Sequence, residues 1–224
     1  MRILAVADIH FNPVILEDIK RFIESRDDID SLLIAGDIFE SFIGGDNRER
    51  QAKMYESFRD WCDHLQIQAI RYIHGNHDEV RVPEDDPYYL RHPEMIGQEK
   101  IIPFQWTVQT AMGWPREVSE NKMKSLLNKL PAGKNNIILA HNPPFRCLDQ
   151  IWNGARVGSP AIRKWIERVK PALWLCGHVH EGYGQSSIGR TIVLNCACQH
   201  RQSLFRGFVV EIVNGEVREV REVQ

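Results

Sequence analysis

Six short runs of aliphatic and β-branched residues punctuate the chain, and five of them stop on a residue that binds metals or protons. That repeated ending constrains the fold more than any other feature. The runs read RILAVAD, SLLIAGD, AIRYIHG, NIILAH, ALWLCGH and TIVLNCA. Each is too short for a helix and apolar throughout, which predicts strands buried on both faces. Between them, apolar residues recur at helical spacing. Leu16, Ile19, Phe22 and Ile23 form one stripe, and Met54 or Tyr55, Phe58, Trp61 or Cys62, and Leu65 form a second. Met123, Leu126, Leu127 and Leu130 form a third. The fourth is Ile162, Trp165, Ile166 and Val169, opened by Ser159 as N-cap and Pro160 at the first helical position. Strands alternating with helices predict an α/β fold. Asn214-Gly215, between LFRGFVVEIV and EVREVREV, predicts a closing hairpin. Residues 41 to 50, 79 to 100 and 143 to 158 lack either period, and loops of that length inside a compact domain are usually functional.

Composition bounds the rest. A chain of 224 residues, 43% hydrophobic and 26% charged, has the makeup of one globular domain spanning 1–224. The formal net charge of -2 gives no electrostatic reason to expect nucleic acid as a partner. No apolar run approaches a membrane span, and Asp8 interrupts the first one too early for a secretory signal, so the expected location is the cytoplasm. Oligomeric state is not constrained. The five cysteines, an odd number in apolar contexts, suit reduced thiols. Cys196-Ala-Cys198 has no second pair to complete a zinc site and reads as core on a strand.

In open α/β sheets ligands gather beyond the carboxyl ends of the strands. Here those ends carry Asp8 and His10, then Gly36-Asp37, then Gly75-Asn76-His77-Asp78, then His141, then Gly177-His178-Val179-His180. Each has a bland explanation by itself, as a helix cap, a turn or a satisfied polar side chain. Together they supply two carboxylates, one carboxamide and four imidazoles, the mixed oxygen and nitrogen set that holds two transition ions around a shared carboxylate. Without a thiolate, that set favours Mn²⁺ or Fe over a closed structural zinc site.

These residues resemble the motifs of the calcineurin-like metallophosphoesterases. The family pattern of Asp-x-His, Gly-Asp, Gly-Asn-His with an acidic residue, an isolated His and Gly-His-x-His is matched here by ADIH, GDIFE, GNHDE, AHNPP and GHVH. The resemblance implies a four-layer α-β-β-α sandwich of two mixed sheets flanked by helices. It also implies a dinuclear centre, with Asp8, His10 and His180 on the first metal, Asn76, His141 and His178 on the second, and Asp37 bridging. His77 would face the phosphate, with Asp78 as its orienting partner. Two divalent ions are implied, Mn²⁺ foremost, with Fe, Zn and Ni as alternatives, and a small phosphate ester as substrate. The segment GDIFESFIGGDN is similar to one in the UDP-diacylglucosamine pyrophosphohydrolases, which carry Arg in place of His77. HNPPF and GHVHEGYG look more like small metallophosphoesterases acting on cyclic nucleotides and other phosphodiesters. The expected activity is therefore a phosphodiesterase. The alternatives are a phosphomonoesterase or phosphoprotein phosphatase, a nucleotide-sugar pyrophosphohydrolase, and a metal-free binding scaffold.

The chemistry explains why such residues belong together. Two divalent ions about 3.5–4 Å apart generate a hydroxide nucleophile near neutral pH and clamp the phosphoryl oxygens. Asn76 offers an oxygen without a further negative charge, so the loaded site stays net positive for an anionic substrate. His77 is placed to protonate the leaving oxygen, Asp78 to fix its tautomer, and Gly75 to allow a sharp turn. His64, His74, His92 and His200 have no matching spacing and read as structural or exposed. Tyr88, Tyr89 and Arg91, with Arg146, Trp152 and Arg156, read equally as a pocket for a base or sugar and as surface loop packing.

Overall fold

The period-two alternation within each apolar run sorts the side chains into three separate cores, and so stacks the chain into four layers. The computed structural model describes residues 1–42, 46–110, 112–131 and 133–224. Ile43, Gly44 and Gly45 of the segment GDIFESFIGGDN lie outside the described residues. In chain order the elements are β1 (Arg2–Val6), α1 (Pro13–Glu24), β2 (Ser31–Ile34), α2 (Asn47–His64), β3 (Ala69–Tyr72), β4 (Glu94–Ile96), β5 (Glu99–Phe104), β6 (Thr107–Val108) and β7 (Glu117–Val118). There follow α3 (Glu120–Leu127), β8 (Ile137–Ala140), α4 (Pro160–Val169), β9 (Leu173–Cys176), β10 (Gly184–Ile188), β11 (Thr191–Asn195), β12 (Gly207–Val213) and β13 (Glu216–Val223).

One sheet has the order β13-β12-β1-β2-β3 and the other β10-β11-β9-β8-β5-β4, each mixed; β6 and β7 pair separately. Along β1 and β2, Leu4, Val6, Leu32 and Ile34 point outward to Ile15, Ile19 and Ile23 of α1 and Tyr55 and Phe58 of α2. Their neighbours Ile3, Ala5 and Leu33 point inward, where they meet Ile137 and Leu139 of β8 and Leu173 and Leu175 of β9. The alternate residues Ile138 and Trp174 face outward onto Met123 and Leu127 of α3 and Ile162, Trp165 and Ile166 of α4. Each such fully buried aliphatic side chain stabilises the layer by about 1.5–3 kcal/mol, before the entropy of ordering it.

The helices start where their caps place them. Ser159 accepts from Ile162 N–H at 3.1 Å, as expected, and Asn12, without having been expected, accepts from Val14 and Ile15 N–H. Asn214 and Gly215 both have positive φ, 52° and 72°, the conformation of the hairpin turn they signal. The structure corrects the reading of residues 79 to 100: their last part enters strands β4 and β5, antiparallel to one another at the edge of the second sheet. Strand β10, read Gly184-Gln-Ser-Ser-Ile188, was also invisible in sequence, because an edge strand needs few apolar residues. Among the described residues, no helix is long and apolar enough to cross a membrane.

Candidate metal centre

Strands β1, β2, β3, β8 and β9 all end at one rim, where the two sheets meet. Asp8, His10, Asp37 and His178 sit there with φ of 56°, 48°, 52° and 69°. Such left-handed backbone in residues other than glycine costs on the order of 1–3 kcal/mol each and persists where the surroundings over-determine it. The glycines beside them answer to sterics. A Cβ on Gly75 would lie 2.1 Å from Asp37 Oδ1, and one on Gly177 would lie 2.1 Å from Asp8 Oδ2. Gly75 is therefore required by close approach to the carboxylate and not, as its sequence context suggests, by a left-handed turn.

All seven expected ligands converge. His180 Nε2 lies 3.1 Å from Asp8 Oδ1. His141 Nε2 and His178 Nδ1 approach the Asn76 Oδ1 atom at 3.1 and 2.9 Å. Asp37 Oδ2 has His141 Nε2 at 3.2 Å and His10 Nε2 at 4.0 Å. Two trios of ligand atoms, Asp37-His141-His178 and Asp8-His10-Asp37, each fall within 4.8 Å, and they share Asp37. Hydrogen bonds with backbone groups orient them: His178 N–H donates to Asp8 Oδ2 at 2.9 Å, His77 N–H donates to Asp37 Oδ1 at 2.9 Å, and His141 Nδ1 donates to the Ala35 carbonyl at 2.7 Å. The last of these leaves Nε2 as the nitrogen that faces the site.

The donor set fits divalent cations on its own geometry. Among the described residues His10 Nε2 is buried with no hydrogen-bond partner, and the one Asn76 oxygen is shared by two ring nitrogens. A buried polar atom without a partner costs about 1–3 kcal/mol, a cost a bound ion removes. The electrostatics agree. Burial pushes the Asp37 carboxyl up, but the His141, His77 and His10 imidazoles outweigh it and hold Asp37 well below the usual carboxylate range. Burial pulls His141 down, and the Asp37 and Asp8 carboxylates more than offset it, lifting it to about 9. Burial dominates at His10 and His178, which fall to about 3 and about 4. Neutral imidazoles are the form that binds metal.

Asp78 lies elsewhere than expected. Its Oδ1 accepts from Ile38 and Phe39 N–H, both at 2.9 Å, and its Oδ2 from Gly75 N–H at 2.8 Å. It fastens the loop after β2 to the turn after β3 and does not touch the His77 ring. His77 Nδ1 is instead paired with Ser41 Oγ, and its ring packs on Trp114 with centroids 4.5 Å apart. Ser41 carries no sequence signal, because a lone Ser in an irregular stretch matches any turn. Asn195, at the end of β11, was likewise missed: its buried amide donates to the Val179 carbonyl at 2.8 Å and holds the turn between His178 and His180.

Of the other histidines, His64 and His92 are exposed, and His74 is buried against Arg116, as expected. His200 is not. It lies against His10 and His180 at the rim. Tyr89 packs on Tyr72 and His74, Arg91 binds the Val82 carbonyl, and Arg156 pairs with Asp149, so these three serve loop packing. Trp152, 83% exposed, lines a cavity of about 350 Å³ with His180, Glu181, His200 and Arg201.

The chain is similar to known proteins. Residues 1–182 match the model of the calcineurin-like phosphoesterases. An uncharacterised protein of Methanocaldococcus jannaschii is 26% identical over 206 residues, 87% of both chains. Human metallophosphoesterase domain-containing protein 1 is 36% identical over 72 residues, and that stretch spans 31% of this chain but only 22% of the human protein. Among solved structures, TT1561 of Thermus thermophilus superposes with a TM-score of 0.62 at 14% identity, covering 100% of this chain and 99% of its own. An archaeal phosphodiesterase superposes with a TM-score of 0.51 at 12% identity, covering 100% and 99%. With residues 1–182 matching its model, the chain belongs to the calcineurin-like phosphoesterase family.

Proposed function

We propose that the protein is a two-metal phosphoesterase that hydrolyses small phosphodiesters. The observation that carries this reading is that Asp37 belongs both to the trio Asp37-His141-His178 and to the trio Asp8-His10-Asp37, which supports a carboxylate shared by two ions. Asp8, His10 and His180 would hold the first ion, and Asn76, His141 and His178 the second. When bound, two divalent ions supply a nucleophile at neutral pH and neutralise the phosphoryl charge. The residues fit Mn²⁺, with Fe, Zn and Ni as alternatives.

The protein's own groups do the rest. His77 stands beyond the ligands with Nε2 4.0 Å from Asp37 Oδ2, and Ser41 and Trp114 fix its ring. From there it donates a proton to the leaving oxygen. A diester monoanion asks for fewer extra cations than a monoester dianion, and Arg116 is engaged with His74 and the Asp78 carbonyl and Arg206 with the Ala197 and His180 carbonyls, while Arg201 lines the cavity beside His180. Five buried cysteines, all free, favour a reducing compartment such as the cytoplasm. The test is hydrolysis of bis-p-nitrophenyl phosphate against p-nitrophenyl phosphate with added Mn²⁺. Faster turnover of the diester supports the reading, and a protein that cleaves the monoester faster contradicts it.

A further inference from the structure

His200 belongs to no motif, yet it is packed into the rim of ligands. Its ring centroid lies 4.0 Å from that of His10 and 4.8 Å from that of His180. The ligand atoms of His10, His180 and His200 fall within 4.8 Å of one another, the same closeness as in the two trios described above. Among the described residues His200 Nδ1 is buried and has no hydrogen-bond partner, and the same holds for His10 Nε2 beside it. Three imidazoles crowded together with two orphaned nitrogens are costly unless something lies between them.

The backbone holds His200 there deliberately. Strand β11 runs parallel to β9, so its carboxyl end reaches the same rim, and Ala197 bridges Ala7 of the first sheet just beyond it. The turn His200–Gln202 is then tied down by the side chain that caps α1: Asn12 Nδ2 donates to the His200 carbonyl at 2.9 Å and to Ser203 Oγ at 3.0 Å. These ties run through the backbone and Ser203, so they survive replacement of the His200 side chain.

We propose that His200 is an additional nitrogen ligand of the first metal position, beside Asp8, His10, Asp37 and His180. This rests on the two-metal reading above. It makes the two positions chemically unequal. Three imidazoles at the first shift its preference toward the ions that favour nitrogen, Zn²⁺ or Fe, and away from Mn²⁺, which favours oxygen donors.

The test is calorimetric titration of EDTA-treated protein with Zn²⁺ and with Mn²⁺, in wild type, His200→Ala and His200→Gln, alongside the visible spectrum of the Co²⁺-loaded forms. Loss of the ligand should weaken one of the two Zn²⁺ binding steps at least about tenfold, the scale seen when groups supporting a metal site are removed. The Mn²⁺ steps should change less, and the Co²⁺ spectrum should change in band position and intensity. A wild type that binds two ions, with variants of unchanged affinity and unchanged Co²⁺ spectrum, overturns the role of His200 and leaves the two-metal reading intact. A wild type that binds no ion overturns both. Thermal unfolding of the metal-free variants, expected to match wild type, separates a lost ligand from a lost fold.

Discussion

Gly177 and Asp8 come from opposite sheets, and a Cβ on Gly177 would stand 2.1 Å from the Asp8 Oδ2 atom. The glycine is thus the space into which the carboxylate fits, and the His178 N–H that follows it donates to the same oxygen. Replacing it by Ala must push Asp8 off its place or open the sheets. Gly177→Ala should cost about 1–3 kcal/mol of stability, as overpacked sites do. It should also weaken metal binding, at the first position through Asp8 and at the second through His178, the residue that follows it. Metal titration with chemical denaturation checks this, and a variant with native stability and two native affinities contradicts it.

Asp78 should prove a fastener. Three backbone N–H groups depend on its two oxygens. In Asp78→Asn one acceptor oxygen becomes an NH₂ group facing a donor, leaving at least one buried amide unpaired. Hydrogen bonds to a charged group contribute about 1.5–3 kcal/mol each, so the metal-free variant should lose at least about 2 kcal/mol. For a chain of this size that is a fall in Tm of roughly 4–8 °C. An unchanged Tm with a displaced pH–rate profile would instead restore Asp78 as the partner of His77.

Metal uptake should expel a proton. His141, lifted to about 9 chiefly by Asp37 against the pull of burial, carries a proton at neutral pH in the metal-free protein. The stabilisation from this pair is complete below about 6.5, the ordinary histidine value, and is lost as pH rises through about 9. Because the ion and the proton compete for the ring, apparent metal affinity should rise with pH across that window. Calorimetry at pH 7 in two buffers of different ionisation enthalpy should show net proton release. No release, or an affinity that falls from pH 6.5 to 9, contradicts the assignment.

His77 should act on the leaving group. His77→Gln should keep both ions, lose about 10²–10⁴-fold in rate on an alkyl or ribose ester, and lose noticeably less on a nitrophenyl ester, whose phenolate departs unaided. Equal losses on both substrates would assign His77 to phosphate binding, and loss of an ion would make it a ligand.

Much of this centre was legible before the fold was known. The rule that ligands gather beyond strand ends picks out Asp8, His10, Asp37, Asn76, His141, His178 and His180 as candidates, and they lie together because parallel strands deliver their ends to one rim. His200 escaped because the run TIVLNCA stops on small core residues and the histidine follows only three residues past Ala197. Applying the same rule to the sixth strand would have found it. Asp78 was misread for a different reason. Proximity in sequence to His77 says nothing about direction, and backbone amides brought in from Ile38 and Phe39, some forty residues earlier in the chain, claim its oxygens. Edge strands such as β10 leave no apolar period to read.

The account turns on Asp37 holding two ions at once. Electron paramagnetic resonance of the Mn²⁺-loaded protein, read beside metal content, tests it most directly. Wild type should contain two ions per chain and show the exchange-coupled signal of bridged Mn²⁺. Asp37→Asn should lose that coupling and bind fewer ions, whereas His180→Ala should weaken chiefly the first. A wild type with one isolated ion, or an Asp37→Asn protein that keeps two coupled ions and most of its rate, would contradict the bridging role and with it the two-metal mechanism.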